Sequence, residues 1–369
     1  RMDTTARHYA RIRYRLLLLE LGGWIGFLLA FQGLGGSHAA LRAVAFLTAM
    51  EWLRIAGYLA IFGLLSYLVF LPLHLYGSWF LEHRFGLSRL TWAGWWIREG
   101  KRVAISAVFW LFLVEGWYAI LQAAPATWTV WATIGWVGIS VVLARIFPTV
   151  LLPIFYKTQP ITDQSLTRRV LALCERVGLR SLGAFRVNLG VETRKANAAL
   201  AGLGRSRRVL FSDTLLDHFT PDEIETVLAH ELGHQRHRHI TKLLILNTIG
   251  SWVAFSLIDL TSRWWVGRFH LSGLTDLEGF PMLLCSLAVI GLLGWPLQHA
   301  ISRAFEWQAD RFAVTVTKAP AVFANALRKL GDLNLADPDP PRWVEWLFYD
   351  HPAIMKRIRA AEQHVPHHR

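Results

Sequence analysis

Val227-Leu-Ala-His-Glu-Leu-Gly-His-Gln-Arg-His-Arg-His239 sets two histidines, His230 and His234, four residues apart. On a helix that spacing sends both imidazoles from one face, one turn apart, where they can grip a single metal ion. Glu231 beside the first of them is placed to accept a proton from the attacking water rather than to bind the ion, the division of labour of a hydrolytic His-Glu-x-x-His site. The surrounding residues support a helix: Thr220 can cap it, Pro221 suits its first position, and Glu223 falls where a capping box needs it. Ile224, Val227 and Leu228 give it an apolar face. The competing reading is a surface helix that happens to be rich in histidine.

A soluble chain of 369 residues would form two or three domains, but 53% hydrophobic residues, 18 tryptophans and a mean hydropathy of +0.32 point to the membrane. Six apolar stretches have the length of a spanning helix: 16–34, 55–79, 103–123, 127–155, 243–260 and 280–302. Arg145 and Pro148 interrupt the fourth, which is expected to end in a kinked or membrane-surface segment reaching Phe155. The stretch His38 to Met50 is short and carries Arg42, so it reads as an interfacial helix or loop, with a seventh span as the lesser alternative. The first apolar stretch follows basic residues and ends near Ser37-His-Ala-Ala40, as a signal peptide would, but it is too long for one and reads as a span. The chain thus divides into a four-span region (1–155), a polar segment carrying the metal motif (156–242), the fifth and sixth spans (243–302) and a C-terminal segment (303–369).

The net charge of +13, with a pI near 10.2, raises the question of nucleic acid. Its distribution answers otherwise. Arg7, Arg11, Arg13 and Arg15 precede the first span; Arg84, Arg89, Arg98, Lys101 and Arg102 crowd the link between the second and third; the link between the third and fourth is uncharged. This positive-inside pattern puts both termini and segment 156–242 in the cytoplasm and the loop Thr261 to Gly279 outside. No aromatic-and-basic RNA-binding pattern or zinc-finger spacing occurs, so no nucleic-acid partner is expected; the lipid bilayer is. Cys174 and Cys285 suggest neither a disulfide framework nor a thiolate metal site.

In the cytoplasmic segment, Gln164 to Val177 has helical spacing, while Ala184 to Leu189 and Arg208 to Ser212 read as short strands. Between the strands lies Lys195-Ala-Asn-Ala-Ala-Leu-Ala-Gly-Leu-Gly204. Its lone Gly-x-Gly lacks the lysine and the strand-to-helix setting of a phosphate loop. Its small residues, Asn197 and Ala198 among them, could form a sheet edge on which an extended peptide pairs through its backbone, and an ordinary hairpin with a polar Asn197 fits equally well.

The third metal ligand must come from elsewhere, and topology indicates Glu306. The metal helix meets the fifth span about nine residues beyond His234, some 13 Å at 1.5 Å per residue, and the sixth span leads into Glu306. Antiparallel spans joined by a short outer loop bring those inner ends together. Two histidines and a glutamate leave a position open for water, as a hydrolytic zinc requires. Asp310, one turn on, is suited to hold the far nitrogen of a ligand histidine. His237 is the rival ligand; sharing one straight helix with the other two histidines, it could not easily complete a tetrahedron.

His230-Glu-Leu-Gly-His234, Glu306-Trp-Gln-Ala-Asp310, Leu152-Pro-Ile-Phe155, Lys195-Ala-Asn-Ala198, His351-Pro352 and the loop Glu82-His-Arg-Phe-Gly-Leu-Ser88 together resemble the type I CAAX prenyl endopeptidases, integral-membrane zinc metalloproteases. The likeness runs from about Leu17 to Arg359. It implies an α-helical polytopic membrane protein of about six spans around an intramembrane chamber, with a cytoplasmic α+β zinc-metalloprotease domain of gluzincin-like kind. It implies one Zn2+ per chain on His230, His234 and Glu306, Glu231 as the base, and Asn197 on the strand that holds substrate. His351 and Arg357 would steady the substrate carbonyl and the oxyanion, and His239 would stand behind a ligand. The eukaryotic members carry a seventh span that is not evident here. From the residues alone, Asp350-His-Pro-Ala-Ile-Met-Lys-Arg357 could equally be a turn opening a basic, solvated helix.

The expected substrate is a peptide or protein, prenylated near its C-terminus if the resemblance extends that far. The same residues would serve a membrane quality-control metalloprotease that cleaves misfolded membrane segments. A different class, a transporter or scaffold with a structural metal, would call for a closed four-ligand site. Glu20, His74, Glu115, Asp259 and His299 lie inside or at the ends of spans, where such groups usually face a bundle interior or water.

Overall fold

The computed structural model describes residues 2–179, 183–202 and 208–363. Helix α1 (Met2–Gly33) turns at Gly35, whose φ of 78° suits glycine, into the short α2 (Gly36–Leu47). Next comes α3 (Glu51–Leu75), which passes through a π-helical turn at Tyr76–Phe80 into α4 (Leu81–Arg84). Helix α5 (Trp92–Ala123) is capped by Thr91, and α6 (Trp128–Ile146) continues through a second π turn, Phe147–Leu151, into α7 (Leu152–Phe155). Pro148 lies in that turn, the physical cause of the irregularity expected there.

The polar segment follows as β1 (Thr158–Pro160), α8 (Gln164–Arg176), β2 (Ala184–Val187), β3 (Ala198–Ala201), β4 (Arg208–Ser212), α9 (Asp213–His218) and α10 (Pro221–Arg236). Helix α11 (His239–Arg268) and α12 (Phe280–Thr317) form a hairpin, and α13 (Pro320–Asn334), α14 (Arg342–Phe348) and α15 (Ile354–Glu362) complete the chain.

Among the described residues six helices are long and apolar enough to cross a membrane: Thr4–Gly33, Glu51–Arg84, Trp92–Ala123, Trp128–Phe155, His239–Arg268 and Leu277–Thr317. All but the fourth, Trp128–Phe155, exceed the apolar stretch read from the sequence, because polar residues continue the helix beyond it. The stretch expected to be an interfacial helix or loop forms most of α2, a helix of 12 residues, about 18 Å long and too short to span. Each span packs on two neighbours in the order α1, α3, α5, α6, α11, α12 and back to α1, a closed ring. At one end of the ring Leu28, Tyr58, Phe62, Tyr118, Trp128 and Phe280 join in an apolar core. The ionisable groups in the spans are mostly engaged: His74 Nε2 lies 3.1 Å from Glu99, and Trp128 Nε1 donates to Asp259 at 2.8 Å. Glu20 is exposed.

At the other end sits the α+β part. Its sheet has the order β1-β2-β4-β3, with β2 and β4 parallel and the outer pairs antiparallel. β1 was not legible, since Thr158-Gln-Pro160 has neither alternation nor β-branched apolar residues beyond one threonine. β2 stops at Val187, where the Leu189 amide turns back to the Val187 carbonyl, two residues short of the expected end. Leu203 and Gly204 of the small-residue run lie outside the described residues. Behind the sheet, α10 is buried against α8, α13 and α12 around Phe211, Leu228, Leu232 and Phe323. A Cβ on Gly233 would stand 3.0 Å from the Ala309 backbone, so glycine there lets α10 and α12 touch.

The expected capping box forms: Thr220 Oγ1 accepts from the Glu223 amide at 3.3 Å, and the Thr220 amide donates to Glu223 at 2.8 Å. Glu223 also accepts from Lys329 at 2.7 Å and from Asn325 at 2.5 Å, although only 3% exposed. Burial raises its carboxyl, and the bonds from Lys329 and Thr220 outweigh that and hold it below the ordinary value. A group with a depressed folded pKa stabilises above its unfolded pKa, and that contribution disappears as pH falls through the folded value. Glu223→Ala should therefore destabilise the protein by about 2 kcal/mol at neutral pH, from a lost cap and lost charged hydrogen bonds. Thermal unfolding in detergent across the acid range checks it, with the difference from wild type shrinking as pH falls.

Candidate metal centre

The capped α10 presents His230 and His234 from one face, their Nε2 atoms 3.2 Å apart. Antiparallel pairing of α11 with α12 and the close crossing at Gly233 bring Glu306 beneath them. Glu306 Oε2 lies 3.3 Å from His230 Nε2 and Oε1 lies 3.2 Å from His234 Nε2. Ligand atoms from the three residues all fall within 4.8 Å of one another. A tetrahedral ion with bonds of about 2.0–2.1 Å spaces its ligand atoms about 3.3 Å apart, so the triangle has the size such an ion requires. Glu306 is 4% exposed, and its Oε2 has no hydrogen-bond donor, an orphaned buried acceptor that a cation would satisfy.

The far nitrogens of both histidines are held. His230 Nδ1 lies 2.9 Å from Asp310, so its Nε2 presents a lone pair to the site. Asp310 in turn accepts two bonds from Arg357, from Nε at 2.8 Å and from Nη2 at 2.7 Å. Burial works to lower the His230 imidazole, and Asp310 and Glu306 outweigh it and raise it to about 9. A field that favours a proton at that imidazole equally favours a metal cation. His234 Nδ1 lies 2.9 Å from His239 Nδ1, and His239 Nε2 lies 3.0 Å from Gln308. His239 is buried and stacks on Phe305, with ring centroids 4.2 Å apart.

The continuous helix expected from the motif into the fifth span is broken. Arg238 has φ 55°, in the left-handed region, and α11 restarts at His239 in a new direction, which is how His239 comes to meet His234. His237 is left outside the ligand group, edge-on to Phe312 at 5.8 Å.

Glu231 borders a cavity of about 360 Å³ shared with Asn197, Ala198, His351 and Arg357. His351 Nε2 stands 3.3 Å from Glu306 Oε1, and its Nδ1 donates to Asp350 at 2.8 Å, a bond that holds the Asp350 carboxyl below its ordinary value. Arg357 is not solvated: its side chain is 11% exposed, because α15 packs against α13 and turns it toward the metal centre. Asn197 precedes β3, an edge strand, and exchanges bonds with Ser212: its amide donates to the Ser212 Oγ, and its carbonyl accepts from the Ser212 amide, both at 2.9 Å.

The sequence reading missed three residues of this region. Asn334 grips the Ala196 peptide on both sides, accepting from its amide at 2.9 Å and donating to its carbonyl at 3.1 Å. Asp337 and Tyr349 line the cavity and meet through Tyr14 of α1. Their partners are far away in sequence, and no local pattern marks them.

Residues 160–365 match Peptidase family M48, and residues 4–157 match the CAAX prenyl protease N-terminal family, described as five membrane helices. Four spans and the short α2 occupy that second region here. An uncharacterized metalloprotease, YhfN, of Bacillus subtilis is 26% identical over 98% of this chain and 86% of its own. CAAX prenyl protease 1 of Saccharomyces cerevisiae is 28% identical over 83% of this chain and 71% of its own. The crystal structure of S. mikatae Ste24p shares the fold, with a TM-score of 0.84 at 23% identity over 98% of this chain and 88% of that one. With more than half of its length matched by that family, and a metal-sized His-His-Glu group beside Glu231, the chain belongs to peptidase family M48 and is a multi-pass membrane metalloendopeptidase.

Proposed function

We propose that the protein is a zinc endopeptidase that cleaves prenylated peptides near their C-terminus, with its site at the cytoplasmic end of a chamber enclosed by the six spans. The carrying observation is the triangle of His230, His234 and Glu306 opening on a cavity that Glu231, His351 and the β3 edge share. Two histidines and a carboxylate suit zinc and leave a coordination position for the reaction, unlike a closed structural site. The relatives named CAAX prenyl proteases support the substrate class, the ring of spans supports the chamber, and the basic residues at α1 and between α3 and α5 support the cytoplasmic orientation.

Zinc, when bound, supplies Lewis acidity to the scissile carbonyl and its attacking water. Glu231 removes the water's proton and returns it to the leaving amine. His351, oriented by Asp350, donates to the developing oxyanion from Nε2. Arg357 first holds Asp310, and through it His230, and adds positive charge behind the oxyanion. An extended substrate backbone pairs along the edge from Asn197 to Ala201, held in place by Ser212 and Asn334.

Glu231→Gln should retain zinc at wild-type stoichiometry while peptide hydrolysis falls by about 10²–10⁴-fold. Metal analysis and cleavage of a fluorogenic peptide check both halves, and surviving hydrolysis would remove Glu231 from its role. Asp310→Ala, which frees the His230 ring, should weaken zinc binding about 10–100-fold in a competition with a chelator. Unchanged affinity would mean that His230 needs no orienting partner. A farnesylated CAAX peptide should be cut three residues from its end faster than its unprenylated twin, in a chelator-sensitive reaction; equal rates would replace the substrate class with general membrane-segment proteolysis.

A further inference from the structure

Positions 295, 299, 303, 306 and 310 of α12 succeed one another at helical spacings of four, four, three and four, and so share the face that carries Glu306. The opposite face carries Leu293 and Leu297, 77% and 68% exposed, as a lipid-facing surface would. Helix α14 is fastened to the first of these faces. His299 Nδ1 donates to the Leu347 carbonyl at 2.6 Å, and Arg303 donates to the carbonyls of Glu345 at 2.9 Å and Tyr349 at 2.7 Å. Carbonyls at the end of α14 are thereby satisfied.

What remains is aromatic. Trp295 stands 6.2 Å from Phe348, edge to face, and Phe348 stands 6.3 Å from Trp343. Val344 and Glu345 are buried on one side of α14, leaving Trp343 and Trp346 more than half exposed on the other. The row passes directly into Tyr349 and His351 at the cavity. Trp295 lies eleven residues from Glu306, about 16 Å along the helix, comparable to the reach of an extended isoprenoid chain.

We infer that Trp295, Trp343, Trp346 and Phe348 form an aromatic ledge leading from the cavity along α12 that takes the isoprenoid chain of a prenylated peptide while the peptide backbone lies along β3. This rests on the function proposed above. An apolar chain continuous with a peptide in the cavity covers the exposed rings and removes them from water.

The test uses the full chain in detergent, with zinc bound. A farnesylated CAAX peptide carrying a photoreactive group on the isoprenoid is irradiated with the Glu231→Gln protein, and labelled residues are mapped by mass spectrometry. In parallel, kcat and KM for the farnesylated peptide and its twin are compared between wild type and Trp343→Ala/Trp346→Ala. Labels on Trp295 or within α14, with KM for the farnesylated peptide raised about tenfold and kcat little changed, are expected, since the two lost rings together remove apolar contact of the kind worth about a factor of ten. A merely structural role would move both peptides alike and would leave no labels there. Labels elsewhere in the protein, with that KM unchanged, overturn the ledge and leave the prenyl reading standing. Equal kcat/KM of wild type for the two peptides overturns the substrate reading itself, and the ledge with it. The crosslink needs neither tryptophan replaced, so it decides the matter even if the double variant does not fold.

Discussion

The contact of α10 with α12 at Gly233 and Ala309 sets the distances at the metal centre. With the axes this close, Glu306 reaches both histidines of the neighbouring helix and Asp310 reaches the back of His230. The same closeness buries two carboxylates, 4% and 6% exposed, where an uncompensated charge costs several kcal/mol. Arg357 neutralises one of them through a paired contact with Asp310. Glu306 is left with one buried oxygen that accepts no hydrogen bond, facing the ligand triangle. A divalent cation there balances the network, and burial makes the attraction stronger than it would be in water.

The spans hold that contact in place. The hairpin of α11 and α12 fixes α12, while the left-handed Arg238 lets the chain change direction between the metal helix and the membrane. Had α10 continued straight into α11, His239, five residues on, would have pointed about 140° round the helix from His234 rather than against its Nδ1. The apolar core around Tyr58, Phe62 and Phe280 ties the far end of the ring, and the α+β part covers the near end. Water and charge at the near end suit hydrolysis; apolar length toward the far end suits lipid.

Much of this was legible because it is local. The capping box, the two histidines at one-turn spacing, the six apolar lengths and the proline in the fourth span are short-range patterns with direct physical meaning. Glu306 and Asp310 were reached by one further step, the antiparallel return of a helical hairpin. Asn334, Asp337 and Tyr349 were not, because each acts on a group far along the chain: Asn334 is 138 residues from Ala196, and Tyr349 is 335 residues from Tyr14. Arg357 was only half legible. Its charge suggested a solvated helix, and only the packing of α15 on α13 explains its burial. The break at Arg238 gave no signal, since arginine rarely adopts that conformation without support from its surroundings.

The edge that lies along the cavity is a four-residue strand, too short to be rigid by itself. Its approach segment is held instead by the membrane part. The Arg194 amide donates to the Leu87 carbonyl at 2.9 Å, the Arg89 amide donates to the Glu192 carbonyl at 2.7 Å, and Arg98 pairs with the Glu192 side chain. Lys195 reaches Glu82 at 2.9 Å and the Tyr9 hydroxyl at 3.2 Å, joining α1, α4 and the residues leading into β3. These bonds converge on the stretch just ahead of Asn197, whose own backbone is fixed by Ser212, so the strand is positioned from both directions. The loop Glu82 to Ser88 therefore belongs to the site although no atom of it lines the cavity. A fragment lacking residues 1–155 would keep the metal ligands on α10 and α12 but lose the groups that align the strand with them.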